Sequence, residues 1–555
     1  MVDAAGCQLR RCSKMSSIVL YALLFFTLSV TVSQSKQPNI VFVLTDDQDV
    51  ALFGYSPMPK AKALIGDVGK TFTNMFVSSP LCCPSRSSIL TGKYVHNHLA
   101  SNNSLTGNCS SPSWQKGPEQ EAFPVYLKKS GYKTFFSGKY LNQYGQPGAG
   151  GVEHIPPGWD DWHGLVGNSR YYNYSLSVNG KEEKHGDDYK SDYLTDIIHR
   201  RALDFLNKQN GDSPFFLMLS TPACHEPFDS APQFLKNFTG DKAPRTKHFN
   251  IHGTDKHWLI EQTITPMPND TITMIDDYFR SRWRTLLSVD DMIEGVVNKL
   301  KAMGELDNTY IFFSSDNGYH LGQFSLPYDK RQLYDFDIRV PLMVRGPNIT
   351  ANSTSQETVV SIDLAPTFLE IGQTGQSPSG FDGMSILKIL ETETSGLTVG
   401  MEDLTPSFRL SAGLKHEAPP HTTSAAEETN DFSFRNSFLI EYFGEHMISV
   451  FGCPQYKNEG MYNCDAHCVC EDAWNNTYGC IRYETQKESY KYCALQDHAN
   501  FVEVYDMKND PYELKNIAKT APPELLTKLS EELANLSLCS GATCHKKMRS
   551  LEGLN

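Results

Sequence analysis

Four short, largely apolar runs lie in the first three-fifths of the chain, at residues 39–44, 133–136, 215–219 and 310–313. Near-continuous apolar runs of this length, rather than alternating ones, are the pattern of strands buried on both faces, as in a parallel sheet. Between and after them the apolar positions repeat with helical period at 193–206, 276–306 and 362–371, the last with Ser361 as its N-cap. Strands alternating with helices predict an α/β fold, a mixed sheet flanked by helices on both sides. Residues 397–436, with Pro419-Pro420 and a Thr/Ser/Ala/Glu stretch, have no period and read as a linker or exposed excursion. Beyond them, 438–442, 447–451 and 501–505 alternate like antiparallel strands and 523–536 reads as a helix, a smaller C-terminal α+β domain.

The N-terminus carries Arg10, Arg11 and Lys14, an apolar run at 18–32 and then Ser33-Gln34-Ser35. That order is a secretory signal, too short for a comfortable span, so residues 1–35 are set aside from the fold. The expected organisation is a catalytic domain over 36–396, the excursion over 397–436 and a disulfide-rich subdomain over 437–555. No other segment reaches transmembrane length, so no stable membrane span is expected.

Export agrees with nine N-x-S/T sequons, at Asn102, Asn108, Asn173, Asn237, Asn269, Asn348, Asn352, Asn475 and Asn535. It agrees also with the crowding of Cys453, Cys464, Cys468, Cys470, Cys480 and Cys493, followed by Cys539 and Cys544. With His467 nearby, Cys468-Val469-Cys470 has the look of a metal knuckle, but an exported chain favours disulfides. The net charge of -14 argues against nucleic-acid binding, which needs a basic surface. An anionic substrate would have to be met by a local cluster of Lys, Arg and metal.

The chemistry gathers where the four runs end. Thr45-Asp46-Asp47 follows the first, Ser137-Gly138-Lys139 the second, residues 221–225 with His225 the third, and Ser314-Ser315-Asp316-Asn317 the fourth. Ligands of open α/β sheets bind outside the carboxyl ends of the strands, so these loops should converge on one crevice. Asp46, Asp47, Asp316 and Asn317 offer only oxygen, the donor set of a hard cation such as Ca²⁺ or Mg²⁺. Asp49 and Glu226 lie close by and read as supporting groups.

The sharpest motif is Cys82-Cys83-Pro84-Ser85-Arg86, continued through Ser87-Ser88-Ile89-Leu90 to Thr91-Gly92-Lys93. Pro84 and Ser85 suit the opening of a helix that stops at Gly92, leaving Cys82 at the positive N-terminal end. A thiol there would be acidified, so an unmodified reactive cysteine is one reading.

The other reading is a resemblance. The segment resembles the signature of the formylglycine-dependent sulfatases, in which the cysteine is oxidised to formylglycine by a formylglycine-generating enzyme in the endoplasmic reticulum. The resemblance implies an alkaline-phosphatase-like fold. It implies one divalent cation, calcium, held by Asp46, Asp47, Cys82, Asp316 and Asn317. It also implies that one hydroxyl of the hydrated aldehyde attacks sulfur while the other expels sulfate. Arg86 matches the arginine that holds the aldehyde hydrate, Lys139 and Lys330 match sulfate-binding lysines, and His225 matches the histidine near the leaving oxygen. His320 is a further candidate for substrate contact, and Lys93 belongs to the modification signature.

Many family members carry Gly-Lys-x-His where this chain has Gly138-Lys139-Tyr140-Leu141-Asn142. That form, with Gln323 to Arg331, looks like the branch acting on the 6-O-sulfate of glucosamine. The branch contains lysosomal exo-acting enzymes and extracellular heparan endosulfatases. The endosulfatases' long basic insertion is absent here. The expected substrate is therefore a sulfated glycosaminoglycan oligosaccharide, heparan or keratan sulfate, ending in N-acetylglucosamine 6-sulfate, cleaved in the lysosome; secretion is the alternative. Homo-oligomerisation is left open. The rivals are an extracellular endosulfatase or other glycosaminoglycan sulfatase, a metal-dependent phosphatase or phosphodiesterase, and an inactive glycan-binding protein. The second metal's His pattern that a phosphatase would show is not evident.

Overall fold

The computed structural model describes residues 36–375, 380–392, 434–445 and 471–551. The expected signal segment, the strand at 447–451, the knuckle at 467–470 and most of the 397–436 excursion lie outside the described residues. The excursion's last residues do not behave as a linker. Arg435 is buried and grips both carboxylate oxygens of Asp363, at 2.8 and 2.9 Å.

The large sheet is built from ten strands, introduced in chain order: β1 Asn39–Thr45, β2 Lys70–Phe72, β3 Lys133–Lys139, β4 Asp161–Leu165, β5 Ser175–Val178, β6 Lys181–Lys184, β7 Phe215–Ser220, β8 Thr309–Ser315, β9 Leu342–Arg345 and β10 Ser353–Ser355. Their order across the sheet is β10-β2-β9-β8-β1-β7-β3-β4-β5-β6. The centre β8-β1-β7-β3-β4 is parallel, and antiparallel strands flank it on either side. The four predicted runs are the four adjacent central strands β8, β1, β7 and β3.

Strand β1 shows why a continuous apolar run is needed. Ile40, Phe42 and Leu44 face one core, shared with helices α1 (Cys82–Thr91) and α4 (Leu364–Ile371). Val41 and Val43 face the other, shared with α2 (Leu194–Asn207) and α3 (Asn269–Ala302). Each fully buried Ile, Phe or Val contributes about 1.5–3 kcal/mol, so the run between the hydrogen-bonded Asn39 and Thr45 is unbroken on both faces. The expected N-cap Ser361 instead opens a 3-10 turn, Ser361–Asp363, that leads into α4; Asp363 holds the N-cap position without a side-chain cap bond, its carboxylate accepting the Val360 backbone N–H at 2.8 Å.

A second, four-stranded antiparallel sheet follows in the order β11 Ser437–Tyr442, β12 Tyr478–Glu484, β13 Ser489–Leu495, β14 Val502–Asp506, with α5 Pro523–Ser537 laid on it. Cys480 and Cys493 face each other across β12 and β13 and are bonded, as are Cys539 and Cys544. This sheet shares the larger core: Phe438 packs on Phe76, ring centres 5.0 Å apart. Of the sequons, Asn173, Asn237, Asn269, Asn348, Asn352 and Asn535 are exposed and Asn108 is half-buried, whereas Asn102 and Asn475 are buried.

Candidate active site

Strand register aligns the chemistry. Thr45 pairs with Ser315, Leu44 with Ser220, and Ser220 with Gly138, so Asp46-Asp47, Asp316-Asn317, Lys139 and the 221–225 loop leave the sheet at one end. Lys139 is itself the last residue of β3 rather than part of the loop after it. Helix α1 points its N-terminus at this end. It begins at Cys82, two residues before the expected opening, and stops at Gly92, which adopts φ 65°. A Cβ at Gly92 would lie 2.5 Å from the Phe381 ring.

Nothing in this centre is more than slightly exposed. Cys82 Sγ lies 3.7 Å from Asp46 Oδ1 and 3.9 Å from Asp47 Oδ1. Lys139 Nζ donates to Asp46 Oδ2 at 2.7 Å, and Lys330 Nζ sits on both Asp47 oxygens at 2.8 and 2.6 Å. Arg86 Nε donates to Asp316 at 2.7 Å while its Nη1 holds Ser220 and the Lys139 carbonyl. The other terminal nitrogen, Nη2, is buried 3.6 Å from Asp46 Oδ1 with no hydrogen-bond partner. His225 Nε2 lies 3.9 Å from Asp47 Oδ2, and its Nδ1 is 2.6 Å from the Glu226 carbonyl. Nδ1 therefore carries the proton and Nε2 is the atom turned toward the carboxylates.

The charges set each group's state. Against the upward push of burial, Lys139 foremost holds Asp46 well below the usual carboxylate range, and Lys330 does the same for Asp47 to a lesser degree. Burial pushes Asp316 up to about 7, with Asp46 and Asp47 adding to it over the pull of Arg86. Burial, then the charge of Lys330, push His225 down to about 4. The expected acidification of the thiol is not found: burial, with Asp46 and Asp47 adding to it, pushes Cys82 up to about 12 against the pull of Lys139 and Lys330. An unmodified Cys82 is a protonated, inert thiol at neutral pH, because the thiolate is the nucleophile.

Asp46, Asp47 and Asp316 each bring an oxygen within 4.8 Å of the others. Asn317 Oδ1 is buried with no partner. Three clustered carboxylates plus an orphaned amide oxygen, with no nitrogen donor among the four, fit a hard divalent cation.

The site opens into a cavity of about 890 Å³ lined by Asp47, His225 and Lys330 among others. His320 does not line it, which corrects the expectation of substrate contact: it is fully buried, clamped between Asp337 at 3.0 Å and Glu471 at 3.3 Å. Those two carboxylates outweigh burial and raise its pKa to about 10. Lys93 is likewise remote, at the far end of α1 in an ion pair with Glu121.

Four supporting residues escaped the sequence reading. Ser169 donates to Asp46 Oδ2 from the β4–β5 connection. Arg282, on α3, donates to the Asp47 carbonyl at 2.7 Å and to Asp49 at 2.8 Å. Asn476 and Tyr478 both bond the Arg331 carbonyl, bracing the segment that carries Lys330. An Arg in an amphipathic helix reads as surface, and a loop Ser carries no signal at all.

Comparison with known proteins follows this geometry. The family model described as Sulfatase matches residues 38–374. The chain is 51% identical over 512 residues to N-acetylglucosamine-6-sulfatase of Homo sapiens, covering 92% of this chain and 86% of the relative. It is 42% identical over 423 residues to the extracellular sulfatase SULF-1 homolog of Drosophila melanogaster, covering 74% of this chain but 37% of that one. Among solved structures, BT4656 in complex with its substrate D-glucosamine-2-N,6-O-disulfate superposes with a TM-score of 0.67 at 24% identity, covering 90% of this chain and 97% of that one. At that identity the likeness speaks for the fold.

Proposed function

The chain belongs to the sulfatase family, and from that membership we propose that it hydrolyses the 6-O-sulfate ester of a terminal N-acetylglucosamine 6-sulfate in heparan or keratan sulfate. The observation that carries this reading is the identity of 51% spread over 92% of the chain with a relative of that activity. A family sulfatase works through formylglycine and a divalent metal; here Cys82 is the formylglycine precursor and calcium the proposed ion.

When present, the formylglycine hydrate supplies the hydroxyl that attacks sulfur and the second hydroxyl that lets sulfate go. Asp46, Asp47, Asp316 and Asn317 would hold the cation, which supplies Lewis-acid polarisation of the sulfate oxygens. The chain's own groups do the rest. Lys330, at the cavity wall, and Lys139, behind it, draw the sulfate into place and offset its charge. Arg86 Nη2, the buried donor without a partner, lies 3.6 Å from Asp46 Oδ1 and would hold the hydrated aldehyde at position 82. His225 is oriented by its Nδ1–H bond, so Nε2 is the atom that exchanges a proton with the leaving oxygen. A bound sulfate beside Nε2 raises its low proton affinity, which makes the imidazolium available when substrate is present.

Exo rather than endo action is supported by the net charge of -14 and by Glu226 and Asp472 on the cavity wall, where Asp329 and Glu445 are both paired with Arg331. A polyanion laid across them would be repelled. No helix among the described residues is long and apolar enough to cross a membrane. We propose a lysosomal enzyme bearing glycans at the six exposed sequons. Mass spectrometry of the Cys82 peptide, together with sulfate release from end-labelled heparan oligosaccharides, tests the reading. An aldehyde and loss of the terminal 6-sulfate first are expected; internal 6-sulfates lost first would overturn the exo assignment, and a bare thiol in active enzyme the mechanism.

A further inference from the structure

Asn142 stands out on the cavity wall. It is 4% exposed, its Oδ1 has no hydrogen-bond partner, and it lines the same cavity as Asp47, His225 and Lys330. A buried amide oxygen without a partner is rare in a finished fold and points to a group that arrives later. The residue is held firmly in place. It follows Lys139 by three positions, and Cys109 Sγ, in the disulfide to Cys83, packs 3.1 Å from its carbonyl oxygen. The next residue, Gln143, accepts the Leu105 backbone N–H at 2.6 Å. The turn is thus tied to the start of α1, beside Cys82, and the side chain is presented by a rigid backbone.

Its chemistry separates it from the sulfate clamp. An amide carries no charge and offers an acceptor and donors side by side, which suits hydroxyl and acetamido groups of a pyranose and not an anion already met by lysines and metal. The neutral side chains of Asn103, Gln143 and Asn168 line the cavity with it, beside the ionic Asp329, Lys330 and Arg331. Resting on the sulfatase reading above, we infer that the Asn142 amide hydrogen-bonds the hexosamine ring that bears the ester, and so sets the preference for a sugar sulfate over a sulfate ester without a sugar.

The test compares two substrates in wild-type enzyme and Asn142→Ala, both checked for formylglycine content and thermal unfolding. On N-acetylglucosamine 6-sulfate the variant should lose about 10- to 100-fold in kcat/KM, the scale expected when a site built to bond a polar group loses that bond. On p-nitrocatechol sulfate, which has no sugar ring, kcat/KM should stay within about twofold. Equal losses on both substrates would overturn the inference by placing the amide beside the nucleophile or in the fold, and so would no loss on either. If the alanine variant does not fold, Asn142→Ser gives the same comparison with a smaller polar group. Wild-type enzyme inactive on the sugar sulfate would defeat the proposed function itself; wild-type activity with an unchanged substrate ratio in the variant would defeat this inference alone.

Discussion

Residues 316 to 320 join two buried clusters of ionisable groups that look alike in composition and differ in how they are finished. At one end Asp316 and Asn317 stand with Asp46 and Asp47 beside Cys82 and His225. At the other, His320 stands with Asp337 and Glu471. The second cluster is closed: Asp337 takes His320 Nδ1 and the Gln332 backbone, Glu471 takes Nε2 and the Gln332 side chain, and no atom of the triad is left over. The first is open: Asn317 Oδ1 and Arg86 Nη2 are buried and unpaired, and the centre faces a cavity. Burial and charge perturb both, so a shifted proton affinity alone does not tell chemistry from architecture. In this pair of clusters, the unpaired polar atoms do.

The contrast breaks most visibly at Cys82. Cys82→Ala should abolish turnover, by about 10⁴-fold or more, in a chain that still folds. Cys82→Ser should be nearly as inactive, since serine has no second hydroxyl to release sulfate; near-normal steady-state rates would revive a phosphatase-like mechanism. Asp316→Ala should lose bound metal and at least about 100-fold in activity together, measured by elemental analysis and sulfate release. Full activity in metal-free protein would remove the cation from the account.

The closed cluster should respond in stability instead. His320→Ala strands two buried carboxylates and should cost about 3–5 kcal/mol, read from the denaturant midpoint, while the folded fraction keeps its metal and KM. A loss of KM with unchanged stability would make His320 a substrate contact after all.

The smallest effect concerns His96, which joins Glu441 on β11 at 2.9 Å and the Cys539 carbonyl at 2.9 Å. Burial opposes its charge, but Glu441 raises its pKa above the ordinary histidine value. The stabilisation is therefore complete below about pH 6.5 and fades as pH rises through the raised value. Unfolding temperature should fall between about pH 5 and 8, and His96→Gln should flatten that difference by on the order of 1 °C. An unchanged pH profile in the variant would remove His96 from the effect.

Legibility in the sequence followed the same divide. The four central strands were visible because burial on both faces forces an unbroken apolar run, and their ends carried the acids and lysines. The strands on one flank were not: β4, β5 and β6 span four or five residues of mixed character, too short to show a period. His320 was misread because its neighbours in sequence belong to the site while its partners, 17 and 151 positions away, do not. Arg282 was invisible for the opposite reason, its significance lying entirely in what it faces, and Asn142 stood in a motif that did not show its unpaired oxygen.

The seal around Cys82 has a consequence in time. The residue is 0% exposed, at the first turn of a helix buried along its whole length, and its neighbour Cys83 is already spent on Cys109. No enzyme can reach that sulfur in the finished fold, so the proposed conversion would belong to the nascent chain, before the helix docks. Two adjacent thiols and one distant partner also create a choice, and oxidising the first to an aldehyde removes the wrong answer before pairing begins. Protein refolded without that step should stay unconverted however long it meets the modifying enzyme; conversion of the native fold would show instead that α1 opens.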